Sequence, residues 1–429
     1  MLYLIRTKGG VKMNERNILC IDLKSFFASV ECVDLGLDAF TTPLVVANKS
    51  QGQGAITLAV SPYLKNLGIK GRTRLYNIPK NIHYKIVNPR MKRYIEMSKK
   101  VVEIYLDFVA SEDLHIYSID ECFLDVTNYL SYYKMSDEKL GETILKAIEK
   151  KTGLTATCGI GPNMLLAKIA MDTEAKKHKN GIAKWGYADI PEKLWPISPL
   201  SSVLGIGTRM EKRLNNIGIF SIYDLAHYDK EKLQNKFGVL GLELWEHANG
   251  IDNSVIKDFK HEAKEKSYSH SQVLMHDYFN EEIYLIIEEM LSVLTKRLRL
   301  KSEATSLVGF GIRYSKVIGG GFYHQIKLSN PTDNGDNILP LCYSLFDKYY
   351  VENTPIRSVS ISLGKLSKKE GTQLDIFTNP EKIASDNNLL KALDEIQAKY
   401  GKNSILKSTS LLSNSTIKER NKKIGGHHE

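Results

Sequence analysis

The chain has 429 residues, a hydrophobic content of 42% and a formal net charge of +10. This length exceeds what one compact core usually holds, so we expect two to four domains, and the positive charge favours a polyanionic partner. The sequence contains no apolar run long enough to cross a membrane, and its first apolar stretch is too short for a signal peptide. Five scattered cysteines without metal-binding spacing are typical of a protein of the reducing cytoplasm.

The first 180 residues alternate between apolar strands and amphipathic helices, which predicts an α/β sheet with its chemistry at strand ends. In chain order the predicted elements are a strand at 17–23, a helix at 25–35, strands at 43–47 and 55–60, a helix at 61–66, a helix at 91–109, a strand containing Asp120 and Glu121, a helix at 139–152, a strand at 155–161 and a helix at 162–173. Residues 1–14 are predicted to be an N-terminal extension, and Met13 is a candidate natural start.

The remainder of the chain changes character twice. Residues 181–255 predict short helices with glycine-bounded turns, and the polar residues 256–266 predict a linker. Strands near 268–275, 305–315, 322–329 and 356–363, with helices at 280–300 and 336–350, then predict a β-α-β-β-α-β unit. After residue 371 we expect one helix at about 387–400 and, from Ser413 onward, a basic end that is disordered or brushes DNA.

Three carboxylates stand at the ends of apolar strands. Asp22 follows Asn17–Ile21, and Asp120 and Glu121 interrupt the apolar run from Tyr117 to Asp125. Clustered carboxylates are costly to bury unless a cation neutralises them, and hard oxygen donors suit Mg²⁺. Two such ions can clamp the attacking and leaving oxygens of a phosphoryl transfer. The alternative is that Asp120 and Glu121 form an exposed turn between strands.

The residues after Asp22 predict a phosphate-binding helix start. Backbone N–H groups at Ser25, Phe26 and Phe27 would face a triphosphate. The Phe27 ring would lie at the mouth of the site, where it can exclude a 2′-hydroxyl by size. Core packing is the alternative for both phenylalanines.

These motifs together resemble the Y-family DNA polymerases, the translesion class, and within it a UmuC/UvrX-like bacterial branch. The matching stretches are 20–31, 67–71, 117–121, 159–163 and 166–170, and the resemblance extends in order over residues 15–377. It implies a right-hand architecture with a helix-hairpin-helix thumb. The implied parts are a palm at 15–27 and 83–180, fingers at 28–82, a thumb at 181–255, a linker at 256–266, a little finger at 267–370 and a tail at 371–429.

The same resemblance implies roles for individual residues. Asp22, Asp120 and Glu121 would hold two Mg²⁺ ions, assisted by the backbone carbonyl of Leu23. Phe27 falls on the steric-gate position, and Lys168 on a lysine that reaches the incoming triphosphate. Lys65 stands where some members of the family have an arginine. The lysine keeps the positive charge, but it cannot make the two parallel hydrogen bonds of a guanidinium.

A second motif predicts a grip on the DNA backbone. Gly205 and Gly207 form a glycine hairpin that would expose N–H groups to a phosphate, and Arg209 and Lys212 add charge. The pattern resembles a helix-hairpin-helix. The alternative is an ordinary helical hairpin with a glycine turn.

A third motif, Gln373-Leu374-Asp375-Ile376-Phe377, resembles the bacterial sliding-clamp motif. A glutamine followed by spaced apolar anchors suits a peptide that binds in a groove. We predict clamp-binding roles for Gln373, Leu374, Ile376 and Phe377. The alternative is that the apolar residues pack on their own domain.

We therefore predict a template-directed, low-fidelity DNA polymerase that adds deoxynucleotides opposite damaged template and is recruited by the sliding clamp. Its expected partners are primer–template DNA, deoxynucleoside triphosphates and the clamp, and we expect a cytoplasmic monomer. One rival is a non-catalytic DNA- and clamp-binding accessory protein with a retained palm. Another is a helix-hairpin-helix glycosylase with a residue such as Asp224 as its catalytic acid, but that rival leaves the three carboxylates unexplained.

Overall fold

The computed structural model describes residues 16–260, 266–369 and 379–428. The described residues form two compact units, one up to residue 260 and one from residue 266 to 426. None of the helices in these ranges is both long and apolar enough to span a membrane.

The first unit contains a central sheet, a small second sheet and a helical region. Its elements in chain order are β1 (Ile18–Leu23), α1 (Phe26–Asp34), β2 (Leu44–Val46), β3 (Ala59–Val60), α2 (Pro62–Asn66), β4 (Lys85–Val87), α3 (Met91–Leu106), β5 (Leu114–Ile116), β6 (Glu121–Asp125), α4 (Leu130–Tyr133), α5 (Asp137–Thr152), β7 (Ala156–Gly161), α6 (Met164–Ala170), β8 (Ile182–Lys184), α7 (Thr208–Asn215), α8 (Ile222–His227), α9 (Lys230–Phe237) and α10 (Val239–Ala248).

The central sheet has the strand order β5-β6-β1-β7-β8. β1 lies in the middle and pairs antiparallel with both β6 and β7. Because side chains alternate across a strand, β1 contributes side chains to two separate hydrophobic cores. Leu19, Ile21 and Leu23 face a core that includes α3 and α5, whereas Ile18 and Cys20 face α6. Asp22 is two residues after Cys20, so its side chain also points toward α6.

Two glycines of β7 let α6 lie directly on the sheet. A Cβ atom on Gly159 would fall 2.0 Å from the carbonyl oxygen of Ala167, and one on Gly161 would fall 2.5 Å from the Ala167 nitrogen. Any side chain at these positions would push α6 away. The close approach brings Lys168, the next residue of the helix, to the end of β1.

Several elements have different bounds in the structure from those predicted. The predicted strand at 55–60 shrinks to Ala59–Val60, because Ile56 only bridges Arg74. The predicted helix at 162–173 is α6 followed by a π turn, Met171–Ala175. Asp120 lies in the bend before β6 rather than in a strand, so the turn alternative is right about its position. That bend is only half-exposed, and Glu121 is buried.

The second unit is built on a four-stranded antiparallel sheet with the order β11-β10-β12-β9. Its elements are β9 (Tyr268–Tyr278), α11 (Glu282–Leu300), β10 (Glu303–Tyr314), β11 (Gly321–Thr332), α12 (Gly335–Tyr349), β12 (Ile356–Lys368), α13 (Pro380–Tyr400) and α14 (Ile417–Asn421). The first six of these give the predicted β-α-β-β-α-β order. Both α11 and α12 bury apolar residues in the core that they share with the sheet.

The disorder predicted from Ser413 onward is wrong, whereas contact of this end with DNA stays a prediction. Ser415 Oγ donates to Glu289 of α11 at 2.5 Å, and Thr416 donates to the same carboxylate through both its N–H and its hydroxyl. Tyr278 donates to the carbonyl of Asn414 at 2.7 Å. Glu289 is only 4% exposed, so the end of the chain covers a buried carboxylate and packs on the second unit.

The predicted linker at 256–266 also differs in its first half. Ile256–Lys260 forms a short 3₁₀ helix. Ile256 is buried on the α6-facing side of the central sheet, and the Phe259 ring stacks on His115 at 4.3 Å. These five residues therefore belong to the first unit.

Candidate active site

The strand register brings the predicted carboxylates together. Asp22 is paired directly with Glu121 across β1 and β6, and both side chains point to the α6 face of the sheet. Asp120 precedes Glu121, and its carbonyl accepts from the N–H of Leu23 at 2.9 Å. Ser118 donates to the Asp120 carboxylate at 2.6 Å, which fixes it in the bend. The backbone pairing thus holds all three acidic residues at one end of β1.

Two lysines from α6 and the π turn lie among these carboxylates. Lys168 Nζ is 2.6 Å from Glu121 Oε1 and 3.1 Å from Asp172 Oδ2. Lys176 Nζ is 2.7 Å from Asp172 Oδ1 and 3.6 Å from Asp22 Oδ2. The Cys20 thiol also donates to Glu121 Oε1, at 3.3 Å. Glu121 Oε1 is therefore held from two sides.

Burial and neighbouring negative charge disfavour the ionised form of Asp22. Burial, together with the negative charges of Asp120 and Glu121, raises the pKa of Asp22 to about 6 despite the opposing charge of Lys176. Burial opposes the charged form of Lys168, but its bond to Glu121 and the charge of Asp172 hold its pKa above the usual value. Two ammonium groups are thus strongly retained, and Asp22 is still under-neutralised.

This arrangement fits a divalent cation. Carboxylate oxygens are the donors that Mg²⁺ prefers, and it usually takes one or two from the protein and the rest from water and substrate phosphates. Within the described ranges, no three His, Cys, Asp or Glu side chains converge on one point by themselves. A cation here would complete its ligand shell from non-protein oxygens, as a metal that works on a nucleotide does.

The turn after β1 has the geometry expected of a substrate site. Ser25 adopts a left-handed conformation, with φ 50° and ψ 43°, which a residue other than glycine takes only under constraint. Its carbonyl accepts from the N–H of Ser29, so α1 begins immediately after the sharp turn. The first N–H groups of the helix thus follow Asp22 within a few residues.

The two phenylalanines of this turn differ in burial. Phe26 is 3% exposed and lies in the core, so the core-packing alternative describes its side chain, and only its N–H remains for nucleotide binding. Phe27 is half-buried and stacks on Tyr94, with ring centroids 4.4 Å apart. Tyr94 is fixed in turn by donating to Glu31 at 2.7 Å. The Phe27 ring therefore has a defined orientation.

Lys65 lies at the end of α2 and is exposed. Although the residue is exposed overall, partial loss of hydration at its ammonium lowers its pKa, and the negative charges of Asp22 and Asp120 oppose that shift. The structure therefore places Lys65 within electrostatic reach of the carboxylates.

Sequence reasoning missed Asp172 and Lys176. The available signal was the spacing Lys168–Asp172–Lys176, which places three charges on one side of a helix that starts at the sheet. Lys168, the lysine predicted to reach the triphosphate, is only 10% exposed and is bound by two carboxylates. Lys176 is 40% exposed and lies closer to the open side of the site.

The predicted DNA grip lies in the helical part of the first unit. Gly205 has φ 88°, and Gly207 is the N-terminal cap of α7. Arg209 and Lys212 are exposed on that helix. A 3₁₀ turn, Leu200–Ser202, precedes the hairpin instead of a full helix. Gln373, Leu374, Ile376 and Phe377, the predicted clamp-binding residues, lie outside the described residues.

Comparison with known families agrees with this geometry. Residues 21–172 match the model of the impB/mucB/samB family, and residues 265–376 match the C-terminal domain of that family. Residues 202–252 match the thumb domain of DNA polymerase iota.

Curated relatives match along nearly the whole chain. A putative UV-damage repair protein UvrX from Bacillus subtilis (strain 168) is 40% identical, over 96% of this chain and 97% of the relative. DNA polymerase IV 2 of the same organism is 32% identical, over 97% of this chain and 100% of the relative.

Among solved structures, a Y-family DNA polymerase chimera, Dbh-Dpo4(243-245)-Dbh, superposes with a TM-score of 0.65 at 20% identity. The match covers 82% of this chain and 99% of the chimera's chain. At that identity the likeness establishes the fold alone. With the family models and the full-length relatives, it shows that this chain belongs to the impB/mucB/samB family of Y-family DNA polymerases.

Proposed function

We propose that this protein extends a primer opposite damaged template DNA, with Asp22, Asp120 and Glu121 as the metal-binding residues of its active site. The observation that carries the proposal is the direct pairing of Asp22 with Glu121 at the end of β1, in a site where Asp22 is under-neutralised. A site that needs cations and is open to a ligand suits a nucleoside triphosphate bound with its metal.

When bound, two Mg²⁺ ions would lower the pKa of the primer 3′-hydroxyl and neutralise the triphosphate. The residues of the chain supply the rest. Asp22 and Glu121 hold their charge at a fixed separation because their backbones are paired, and Ser118 orients Asp120. The N–H groups after Ser25 bind phosphate oxygens. Pyrophosphate leaves as the new phosphodiester bond forms.

Lys176 is better placed than Lys168 to contact the triphosphate. Its ammonium is more exposed, and it is separated from Asp22 by 3.6 Å, which is a charge contact rather than a hydrogen bond. Lys168 is bonded closely to Glu121 and supports that carboxylate. Lys65 approaches the same carboxylates from α2 and is a further contact for the phosphates.

Sugar selection is assigned to Phe27. Its ring is held by Tyr94 rather than buried in the core, so it offers a rigid apolar surface beside the first turn of α1. A ribose 2′-hydroxyl against that surface would lose its hydrogen bonds to water without gaining others.

The rest of the chain is assigned to holding DNA and to recruitment. Gly205, Gly207, Arg209 and Lys212 would bind the duplex backbone without reading sequence. Leu374 and Phe377 would anchor the chain in a groove of the bacterial sliding clamp. We further propose that the protein acts as a monomer and in the cytoplasm.

The test is extension of a labelled primer with Mg²⁺, first on intact template and then across one defined lesion. We expect wild-type extension on both templates and loss of extension in Asp120→Ala, with the dissociation constant for primer–template DNA unchanged. Ser131→Ala, on α4, is the matched control. Absence of extension by the wild type would favour the accessory-protein alternative, and full activity of Asp120→Ala would refute the assigned site.

A further inference from the structure

Five charged side chains of the site form a series of ion pairs that alternates in sign. The series runs from Glu121 through Lys168, Asp172 and Lys176 to Asp22, and the backbones of its two end residues are paired across β1 and β6. Asp172 is the junction, because it uses one carboxylate oxygen for each lysine, Oδ2 at 3.1 Å and Oδ1 at 2.7 Å. Asp172 is the one member of this series that has no role in the assignments above.

The local backbone explains why Asp172 can serve both lysines. Lys168, Asp172 and Lys176 are spaced four residues apart, where α6 continues into the π turn Met171–Ala175. Side chains four residues apart lie on the same side of a helix, and π turns often occur at functional sites. Gly159 and Gly161 let the backbone at Ala167 lie directly on the sheet, so the neighbouring Lys168 reaches Glu121 beside the end of β1.

The bonds of Lys176 differ in strength. The bond to Asp172 is short, at 2.7 Å, whereas the contact with Asp22 is long, at 3.6 Å. Lys176 is therefore held by Asp172 and only attracted by Asp22. When another cation neutralises Asp22, Lys176 can turn away from it while it stays bonded to Asp172.

We propose that Asp172 is a positioning residue that orders Lys176 for the incoming triphosphate and holds Lys168 against Glu121. This inference rests on the proposed function. A free lysine side chain gives up several rotatable bonds when it binds a phosphate, and that loss weakens binding. Because Asp172 already restricts the Lys176 side chain, less conformational entropy is lost when the nucleotide binds. The effect of Asp172 on nucleotide binding therefore acts through Lys176.

The experiment is a double-mutant cycle with Asp172→Asn, Lys176→Ala and both together. The readout is the dissociation constant of the correct deoxynucleotide for protein bound to a primer that ends in a dideoxynucleotide, followed by fluorescence in Mg²⁺. That primer cannot be extended, so binding is measured without chemistry. KM and kcat on an ordinary primer are measured in parallel.

We expect each single variant to weaken nucleotide binding about tenfold and the double variant to be no weaker than Lys176→Ala, because coupled residues are not additive. KM should rise and kcat should change little, and affinity for primer–template DNA should stay at the wild-type value. Glu174→Gln is the matched control: it lies on the same π turn, but it bonds to Trp185 and Lys193 rather than to any of the five ion-paired side chains. Damage to the turn in general would appear in this control as well.

Two outcomes would overturn the inference. One is wild-type nucleotide affinity in Asp172→Asn. The other is a double variant whose loss equals the product of the two single losses, since Asp172 would then act independently of Lys176. Failure of the proposed function is a separate result, because the wild-type protein itself would then not extend a primer.

Discussion

Replacing the buried carboxylate at the end of β1 should make the metal-free protein more stable. Asp22 lies beside Asp120 and Glu121, and burial with these neighbours raises its pKa from 3.8 to about 6. The folded state therefore resists ionisation of Asp22, and at neutral pH the charge is retained at a cost in stability. Asp22→Asn removes that charge and keeps the size of the side chain.

The magnitude follows from the pKa difference between the folded and the unfolded chain. A shift of ~2 units at 1.36 kcal/mol each corresponds to about 3 kcal/mol. Below pH 3.8 the carboxyl is protonated in both states and costs nothing. The cost grows between pH 3.8 and about 6, where only the unfolded chain ionises, and is constant above pH 6. Asp22→Asn should therefore gain up to about 3 kcal/mol at pH 8 and nothing at pH 3.8.

Urea unfolding followed by tryptophan fluorescence suits this measurement, because Trp185, Trp195 and Trp245 all lie in the first unit. Glu103→Gln, at an exposed position of α3, is the control that should not change stability. Mg²⁺ at pH 8 should then stabilise the wild type but not Asp22→Asn, since only the wild type keeps the ligand. A variant less stable than the wild type at pH 8 without metal would refute the reasoning.

Three further changes test other parts of the molecule. Phe27→Ala should raise ribonucleotide incorporation relative to deoxynucleotide incorporation, whereas Phe26→Ala should cost ~3–5 kcal/mol of stability and leave that ratio unchanged; an unchanged ratio in Phe27→Ala would remove it as the gate. Leu374→Ala with Phe377→Ala should leave unassisted extension intact and abolish stimulation by the sliding clamp, at ~2 kcal/mol or more for each anchor; equal clamp affinity in calorimetric titration would withdraw the motif. Arg209→Ala should weaken binding to duplexes of any sequence, and a salt titration should show that DNA binding releases about one counterion fewer. A loss of affinity that depends on the DNA sequence would contradict binding to the DNA backbone.

The sequence was sufficient to select Asp22, Asp120 and Glu121, because acidic residues in apolar runs are unusual and need a cause, although it put Asp120 in a strand that begins only at Glu121. It was not sufficient to pair Asp22 with Glu121. That pairing depends on the register of two strands a hundred residues apart, and no local pattern sets it. Lys176 was missed for a related reason, since its position depends on the π turn that follows α6.

The end of the chain was mispredicted because its anchors are polar. The segment around Ser415 has little apolar periodicity, and such a segment usually stays solvated. Here the matching signal lies in α11, where Glu289 interrupts the buried face of an apolar helix and requires donors. A buried acidic residue in one element therefore indicated that a polar segment elsewhere is ordered.

This packing also sets the order in which the protein can mature during synthesis. Domains generally fold as they leave the ribosome, the N-terminal ones first. The central sheet of the first unit has all its strands once Lys184 has emerged, so the three candidate carboxylates can come together early. Glu289 must wait for Ser415 and Thr416, more than 120 residues later in the chain. The second unit can thus complete these polar contacts only after Ser415 and Thr416 have been synthesised, and a chain interrupted before them would have the central sheet of the first unit and an uncovered α11.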